Sequence, residues 1–586
     1  MATAHATNGV SSTATEAKPV PYTNGSAPRN GSASPGSDAS LAFKLTTNLL
    51  WVFEKGVAWA SGLDKEREAS PYLRGNYAPV SDEIFQDQLE VVEGKLPAVL
   101  NGAFLRNGPN PAVPMAGGYH WFDGDGMVHA VRIKDGKASY CNRFVETARL
   151  HQERKAGYGV FGRFGDSKGK AGLVHMVLRI LKERLGIITP SKVGRGTGNT
   201  ALAYHAEKVL ALHEGDLPYV LRVACEGVLE TLGRWGFEGR LDHPFTAHPK
   251  IDPKTGELFF IGYDLNRKPY LYYSLADKEG NLVHDYPVGI PDPVMMHDFA
   301  ITQDYAIFMD CPLVLKPERM VKEGKLPFIF DKSRPARFGV LPRYAKDAAG
   351  IKWFETEPMI ILHVVNAWQE GDKVKLFGCA FKEFDLDGFT ADCGDEDLAH
   401  VTEICMDLAT GTATSRRVAP LAGDFPVVHP SLVGRKTRYC YIGHMRNTSL
   451  GYPEFIGVAK LDLLAQDPSK AVAGLILFGG HKFGGEAYFA PSGGQAEDDG
   501  HLLVFVHDED AGVTELVVYN AKSMSEEPVA RVRMPRRVPY GFHSLWISEA
   551  QLQAQAKSKA GLAAVAVPGK GAQGGLLSRT VAGNVA

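Results

Sequence analysis

Histidines beside apolar or turn-forming residues are the side chains of this sequence best suited to metal chemistry. Four of them occur in the segments FTAHPK, VMMHDFA, IILHVVNAW and PYGFHSLW, as His248, His297, His363 and His543. Neutral imidazole is a common ligand of iron, zinc and copper. These histidines are far apart in the chain and match no local metal motif. His129 and His243 lie in equally apolar surroundings, so spacing alone does not separate ligands from ordinary core histidines.

Two other segments resemble ligand-binding motifs only in part. GRGTGNT (194–200) is similar to a phosphate-binding loop, but it lacks the G-K-[ST] ending and precedes the strand-like ALAYH. The acidic runs EDDG and HDED lack the spacing of an EF-hand. We interpret the first as a turn and the others as solvated hairpin ends.

Short strands joined by tight turns dominate the chain from 76 to 549. In AVRIKDGKASYCNRF (130–144), Asp135 and Gly136 separate two β-rich runs. The pattern recurs around Lys254 to Gly256 and at Thr410 and Gly411. Repeated antiparallel hairpins favour an all-β fold with closed radial repetition of four-stranded blades, which is a β-propeller.

Two stretches instead have the period of an amphipathic helix. Apolar residues recur every three or four positions from Leu41 to Trp59 and from Leu173 to Ile187, with basic residues among them. Such helices either pack on the sheets or lie on a membrane surface. The sequence leaves both alternatives open.

Composition sets the domain organisation and limits the partners. Residues 1–39 contain few large apolar side chains and are predicted to be a disordered leader, followed by an amphipathic helical segment at 40–75. The sheet domain covers 76–549 with a helical insertion near 165–190, and 550–586 is predicted to be a flexible tail. With 64 Lys and Arg against 67 Asp and Glu, the net charge of -3 indicates no nucleic-acid partner.

The same features favour a cytoplasmic location. Seven cysteines without a C-x-x-C pair indicate a reducing compartment, and there is neither a secretory signal nor a long apolar run. A plastid remains the alternative, because the leader is rich in serine and poor in acidic residues. Its two basic residues, Lys18 and Arg29, are fewer than a transit peptide usually has.

A series of long motifs links the chain to a known family. They include LRNGPNP (105–111), GYHWFDGDGMVH (118–129), PFTAHPKIDPKTGE (244–257), DPVMMHDFAIT (292–302) and RVPYGFHSLW (537–546). Over about 76–549 the chain resembles the carotenoid cleavage dioxygenases, above all the plant-type enzymes that cut the 9,10 and 9′,10′ double bonds. The order and length of the motifs make this resemblance specific.

The resemblance implies a seven-bladed β-propeller with a small helical cap on one face and Fe(II) on its axis. The implied ligands are His248, His297, His363 and His543, whereas His129 and His243 would be framework residues. Four imidazoles on six-coordinate iron leave positions free for O₂, while a four-histidine zinc site would be closed and structural.

The family pattern also implies carboxylates that hold the outer nitrogens of three ligands. Glu214 would pair with His297, Asp424 with His363 and Glu486 with His543, leaving His248 without a partner. Asp424 stands where many relatives have Glu, so it must reach from a closer backbone or through water. A turn carboxylate facing solvent is the alternative for Glu214 and Asp424.

The implied reaction is cleavage of a carotenoid or apocarotenoid double bond by O₂, giving a C13 ketone such as β-ionone plus an apocarotenal or dialdehyde. The 29 Phe, 21 Tyr and 7 Trp can line an apolar tunnel for such a substrate. Since this substrate resides in membranes, peripheral membrane contact is expected. The alternatives are a stilbene-cleaving dioxygenase of the same fold and a non-catalytic propeller that binds partners.

Overall fold

The computed structural model describes residues 39–189, 193–387, 394–447 and 453–557. Apart from residue 39, the predicted leader lies outside the described residues, as does the tail from 558 onward.

Successive hairpins form four antiparallel sheets in chain order. The first comprises Ala201–His205, Lys208–Leu212, Tyr219–Val223 and Leu229–Arg234. The second comprises Lys250–Ile251, Leu258–Tyr263, Leu271–Ala276 and Leu282–Val288. The third comprises Ala300–Ile301, Tyr305–Asp310, Ala336–Pro342 and Lys352–Thr356, with a separate hairpin of Leu313–Leu315 and Phe328–Phe330. The fourth comprises Ile360–Glu370, Lys373–Phe381, His400–Asp407, Thr412–Val427, Tyr439–Asn447, Pro453–Asp462 and Val472–Leu477.

Two further sheets tie the early part of the chain to its late part. One has the order Phe85–Gln86, Lys137–Phe144, Gly126–Lys134, Gly102–Pro109 and Ser544–Ser548. The other has the order Val91–Gly94, Ala530–Arg533, Val513–Asn520, Gly500–Asp508 and Lys482–Phe483, with Tyr488–Pro491 also paired to Gly500–Asp508. Strands from both ends of the sequence therefore share sheets.

This arrangement is the propeller-type all-β fold that the hairpins predicted. The Asp135 and Gly136 turn is confirmed, because Lys134 pairs with Lys137 and both turn residues have positive φ, 50° and 74°. GRGTGNT leads into the strand Ala201–His205, as its interpretation as a turn requires. The count of seven blades stays a prediction, because Thr412–Val427 pairs on both sides and joins 360–477 into one sheet.

Both predicted amphipathic helices are present. The α-helices are α1 (Leu41–Ser61), α2 (Leu63–Ala69), α3 (Ala148–Ala156), α4 (Gly169–Arg184), α5 (Pro317–Glu323) and α6 (Glu549–Lys557). Short 3₁₀ turns occur at Pro71–Leu73, Gly75–Tyr77, Trp121–Asp123, Asp395–Asp397, Pro430–Leu432 and Pro468–Lys470. Helix α6 occupies the first residues of the predicted tail.

Helices α1 and α4 pack on each other through a buried ion pair. Glu54 on α1 meets Lys182 on α4 at 2.5 Å, and Lys182 Nζ also donates to the carbonyl of Val160 at 2.9 Å. Leaving either charge unpaired in this buried place would be costly, so the pair holds the two helices in one register. Phe43, Leu50 and Trp51 of α1 pack against the neighbouring apolar cluster.

The opposite faces of both helices expose large apolar side chains. These are Leu41, Leu45, Leu49, Val52, Phe53 and Trp59 on α1, and Leu173, Val174, Met176, Val177, Ile180 and Leu181 on α4. Neither these helices nor the others in the described part of the chain are long and apolar enough to cross a bilayer. One face of each helix thus packs on protein, and membrane contact of the exposed face stays a prediction.

Candidate metal centre

The four histidines of the predicted site come together although they belong to different sheets. His248 and His297 precede the first strands of the second and third sheets, His363 lies in Ile360–Glu370, and His543 directly precedes Ser544–Ser548. One nitrogen from each lies within 4.8 Å of the others. In the described part of the chain, no second group of three or more such side chains meets this criterion.

The imidazoles face one another edge to face. His248 Nε2 and His297 Nε2 are 2.9 Å apart. The ring centroid of His248 lies 4.6 Å from that of His543 and 5.2 Å from that of His363. His363 and His543 are buried, and the other two are half-buried. Four nitrogen donors thus converge on one small volume.

Three carboxylates hold the outer nitrogens of these rings. Glu214 contacts His297 Nδ1, and it also accepts from the hydroxyl of Tyr263. Glu486 Oε1 is 2.9 Å from His543 Nδ1, and its other oxygen accepts from the backbone N–H of Ser544. With Nδ1 donating outward, Nε2 of each ring presents its lone pair to the centre.

Asp424 reaches His363 directly, with 2.8 Å between Oδ1 and Nδ1. The same oxygen accepts from the N–H of Phe425 at 2.8 Å. A register shift interrupts the strand pairing between Asp424 and Val427, and Phe425 has φ 55°. For the shorter side chain the structure thus shows a direct contact, made at the start of a strand bulge.

Burial and charge set the protonation of the cluster. Burial, with the neighbouring imidazoles, lowers the pKa of His248 well below its usual range. Burial also lowers the pKa of His363 against the opposing effect of Asp424. For His297 burial acts in the same direction, but Glu214 outweighs it and the pKa ends above its usual value. Metal binding at His297 therefore competes with a proton more strongly than at His248 or His363.

The other histidines considered from the sequence lie outside the cluster. His129 Nδ1 is 2.7 Å from the hydroxyl of Tyr140, inside the strand Gly126–Lys134. His243 bonds Asp285 at 2.9 Å and the carbonyl of Pro244 at 2.7 Å. No carboxylate among the described residues bonds the ring of His248, whose backbone N–H donates to Thr246.

A cavity of about 1110 Å³ opens onto this cluster. His297, His363 and His543 line it together with Glu214 and Asp424. Many of its other lining residues are aromatic or aliphatic, among them Tyr72, Tyr77, Trp121, Phe122, Phe164, Met295, Phe328, Leu362, Phe381, Phe384, Phe425, Met445, Phe455 and Phe542. The volume and the apolar wall suit a large uncharged ligand.

The sequence did not identify these lining aromatics. Trp121 and Phe122 lie in the motif at 118–129, and Phe542 lies next to His543, so motif position was an available signal for those three. The others come from segments whose patterns do not differ from ordinary core strands. Their contribution depends on the packing of distant segments.

Comparison with known proteins places the chain in a family. The family model described as retinal pigment epithelial membrane protein (RPE65) matches residues 77–548. The chain belongs to this family, the carotenoid oxygenases. Among curated relatives, carotenoid 9,10(9′,10′)-cleavage dioxygenase 1 of Pisum sativum is 46% identical over 501 residues, covering 83% of this chain and 91% of that protein.

Solved structures of carotenoid oxygenases share the fold. The lignostilbene dioxygenase of Pseudomonas brassicacearum aligns with TM-score 0.69 and 26% identity, covering 82% of this chain and 98% of that one. The cobalt-substituted apocarotenoid oxygenase of Synechocystis aligns with TM-score 0.67 and 28% identity, covering 81% and 98%.

The donor set of this carotenoid oxygenase fits an iron cofactor. Four imidazole nitrogens without a thiolate suit iron, and they leave part of an octahedral coordination shell free. The three carboxylates already occupy the outer nitrogens, as is usual around metal-bound histidines.

Proposed function

We propose that this chain is an Fe(II)-dependent dioxygenase that cleaves the 9,10 and 9′,10′ double bonds of a carotenoid or apocarotenoid. Each cleavage breaks one C=C bond and places one atom of O₂ in each of two carbonyl products. The products would be a C13 ketone such as β-ionone and an apocarotenal or dialdehyde. The observation that carries this proposal is the convergence of four imidazoles, three of which line a large, mostly apolar cavity.

In this proposal His248, His297, His363 and His543 hold the iron, and Glu214, Asp424 and Glu486 orient three of them. Bound Fe(II) supplies the binding and activation of O₂. The protein residues do the rest, since the cavity wall orients the polyene and keeps bulk water away from the bond to be cut. The lining holds aromatic rings that can pack along a conjugated chain.

We further propose that the chain meets its substrate at a membrane surface, through the exposed apolar faces of α1 and α4. Basic residues such as Lys44, Lys55 and Arg179 are interspersed in these helices, a composition typical of interfacial helices. The proposed location is the cytoplasm, in peripheral membrane contact, and a plastid is the alternative. The division into leader, helical segment, catalytic domain at 76–549 and tail belongs to the same proposal.

A stilbene is the second candidate substrate, because a structural neighbour at TM-score 0.69 is a lignostilbene dioxygenase. Stilbenes also carry an activated double bond between apolar groups. The non-catalytic scaffold has weaker support, because partner binding does not require four convergent imidazoles, three of which are oriented by carboxylates.

One assay separates these alternatives. The protein is loaded with Fe(II) without oxygen, then given O₂ and β-carotene, an apocarotenal or resveratrol, and the products are identified by mass spectrometry. We expect β-ionone and its partner carbonyl from the polyenes. Products from resveratrol alone would favour the stilbene activity, and iron binding without any product would favour the scaffold. His363→Ala is the matched inactive control.

A further inference from the structure

The cavity is lined by two chemically different groups of side chains. Its aromatic wing consists of Tyr72, Trp121, Phe122, Phe164, Phe328 and Phe542. These rings form one continuous series, with successive centroids 4.5 to 6.3 Å apart from Tyr72 through Trp121, Phe542, Phe122 and Phe164 to Phe328. An apolar end group of a ligand would bury itself here at little cost.

The polar wing consists of Arg195, His213, Asp264, Asn266, Arg267 and Tyr272, all of which line the same cavity. Most of it belongs to one hairpin, in which Asp264 accepts from Asn266 N–H at 2.9 Å and from Arg267 Nε at 3.0 Å. Arg267 is 62% exposed, so this wing leads toward solvent. Several hydrogen-bonding groups thus lie together in this part of the cavity.

The metal centre lies close to the inner end of the polar wing. His213 directly precedes Glu214, whose carboxylate contacts His297 and the hydroxyl of Tyr263. A long ligand that crosses the centre would therefore place one end in each wing.

His213 has a fixed tautomer at this inner position. The N–H of Gly215 donates to His213 Nδ1 at 2.9 Å, so Nδ1 is an acceptor and the neutral ring carries its proton on Nε2. Burial lowers the pKa of His213 to about 4, which keeps the ring neutral near pH 7. The Nδ1 edge lies against Gly196, where a Cβ would meet Nδ1 at 2.8 Å. The Nε2 N–H is left for the cavity.

Polar groups on the neighbouring wall are already engaged. Asn199 Nδ2 donates to the carbonyls of Phe122 and Gly124, and Thr200 Oγ1 donates to Asn199. Both ring nitrogens of His120 have partners. For His213 Nε2, no described residue offers an acceptor within hydrogen-bond distance. A donor in this half-buried position gains from an acceptor on the ligand.

We propose that His213 is a specificity-determining residue whose Nε2–H donates to an oxygen atom of the polyene held in the polar wing. The ligand oxygen is a neutral acceptor, either a carbonyl or a hydroxyl. A hydrocarbon carotene leaves the N–H unpaired, whereas an apocarotenal or a hydroxylated carotenoid satisfies it. This inference rests on the proposed function, because it assumes that a polyene occupies the cavity.

The test measures binding and turnover separately. Iron-loaded wild type, His213→Phe and His213→Gln are titrated with β-carotene, a dihydroxylated carotene and an apocarotenal, following quenching of tryptophan fluorescence. Trp121 lines the cavity and serves as a reporter. In His213→Phe we expect Kd and KM for at least one oxygenated ligand to rise about 3- to 10-fold, which is more than the change for β-carotene and more than the change in kcat. The ligand that responds, aldehyde or alcohol, identifies the oxygen.

His213→Gln keeps an N–H donor and should recover most of the lost affinity. His481→Phe, whose side chain is 67% exposed, controls for the loss of a histidine elsewhere. Equal changes for all three ligands, or none for any, would overturn the role of His213. Binding of the oxygenated ligands without cleavage would contradict the proposed reaction, but the Kd values would still test the role of His213. If wild type binds no polyene at all, both fail.

Discussion

Three of the four rings at the metal centre are oriented by a carboxylate contact at the outer nitrogen. Asp424 lies 2.8 Å from Nδ1 of His363, and Glu486 lies 2.9 Å from Nδ1 of His543. The two contacts are equally short although the Asp424 side chain has one methylene less. A strand bulge follows directly after Asp424. We therefore expect the two carboxylates to matter to a similar degree.

Removing either carboxylate should weaken iron binding while leaving the fold intact. We expect Glu486→Gln and Asp424→Ala each to lower iron affinity or activity about 10- to 100-fold, the usual range for such partners. Competition with a chelator of known affinity measures the loss. Glu396→Gln, whose side chain is 75% exposed, is the control. Retention of full iron affinity by Asp424→Ala would mean that the contact with His363 does not orient the ring.

Helix α4 shows how an amphipathic pattern divides between two environments. Leu178 is 6% exposed and faces the protein, whereas Val177 is 65% and Ile180 48% exposed. A charge at Leu178 would be buried and would report on folding, not on a membrane. The exposed positions are the proper probes of membrane contact.

Val177→Glu with Ile180→Glu should reduce the cleavage of carotenoid held in liposomes far more than cleavage of an apocarotenal dispersed in detergent. Two carboxylates oppose burial of this face in an anionic interface. Liposome co-sedimentation and both assays measure the effect. The melting temperature should hardly change, because surface substitutions usually cost about 0.5 kcal/mol or less.

Leu178→Glu is the comparison variant, and it should lower the melting temperature and both activities together. If the Val177 and Ile180 variant behaves in the same way, its face packs on protein and the membrane proposal has to be given up.

At the scale of the molecule, the four metal ligands lie in or next to strands of four different sheets. His543 directly precedes Ser544–Ser548, which pairs with the early strand Gly102–Pro109. The unfolded chain cannot hold four such distant histidines together. Iron binding should thus be linked to folding.

We expect Fe(II) to raise the apparent melting temperature of wild type. The free energy of unfolding should increase by about 2.7 kcal/mol when free iron exceeds Kd 100-fold. His363→Ala should lose both the bound iron and this stabilisation, because it removes one of the four converging imidazole nitrogens. His129→Ala, which removes a histidine bonded to Tyr140, should keep the bound iron. Calorimetry and metal analysis without oxygen give both readings. Loss of iron from His129→Ala but not from His363→Ala would refute the ligand set.

Local patterns in the sequence predicted much of this protein. The hairpin at Asp135 and Gly136 and the helices α1 and α4 depend on residues close in the chain, so turn residues and apolar periodicity suffice to find them. The resemblance of long motifs to a family pointed to the four histidines, which spacing could not single out.

Other features exist only once distant segments meet. The contact of Asp424 with His363 joins two strands far apart in sequence, the burial of Leu178 depends on the elements that pack against α4, and the cavity is lined by many separate segments. Hydrogen bonding, burial and electrostatics act over a few ångströms in space. Separation along the chain does not reveal such distances when the residues concerned lie on different sheets.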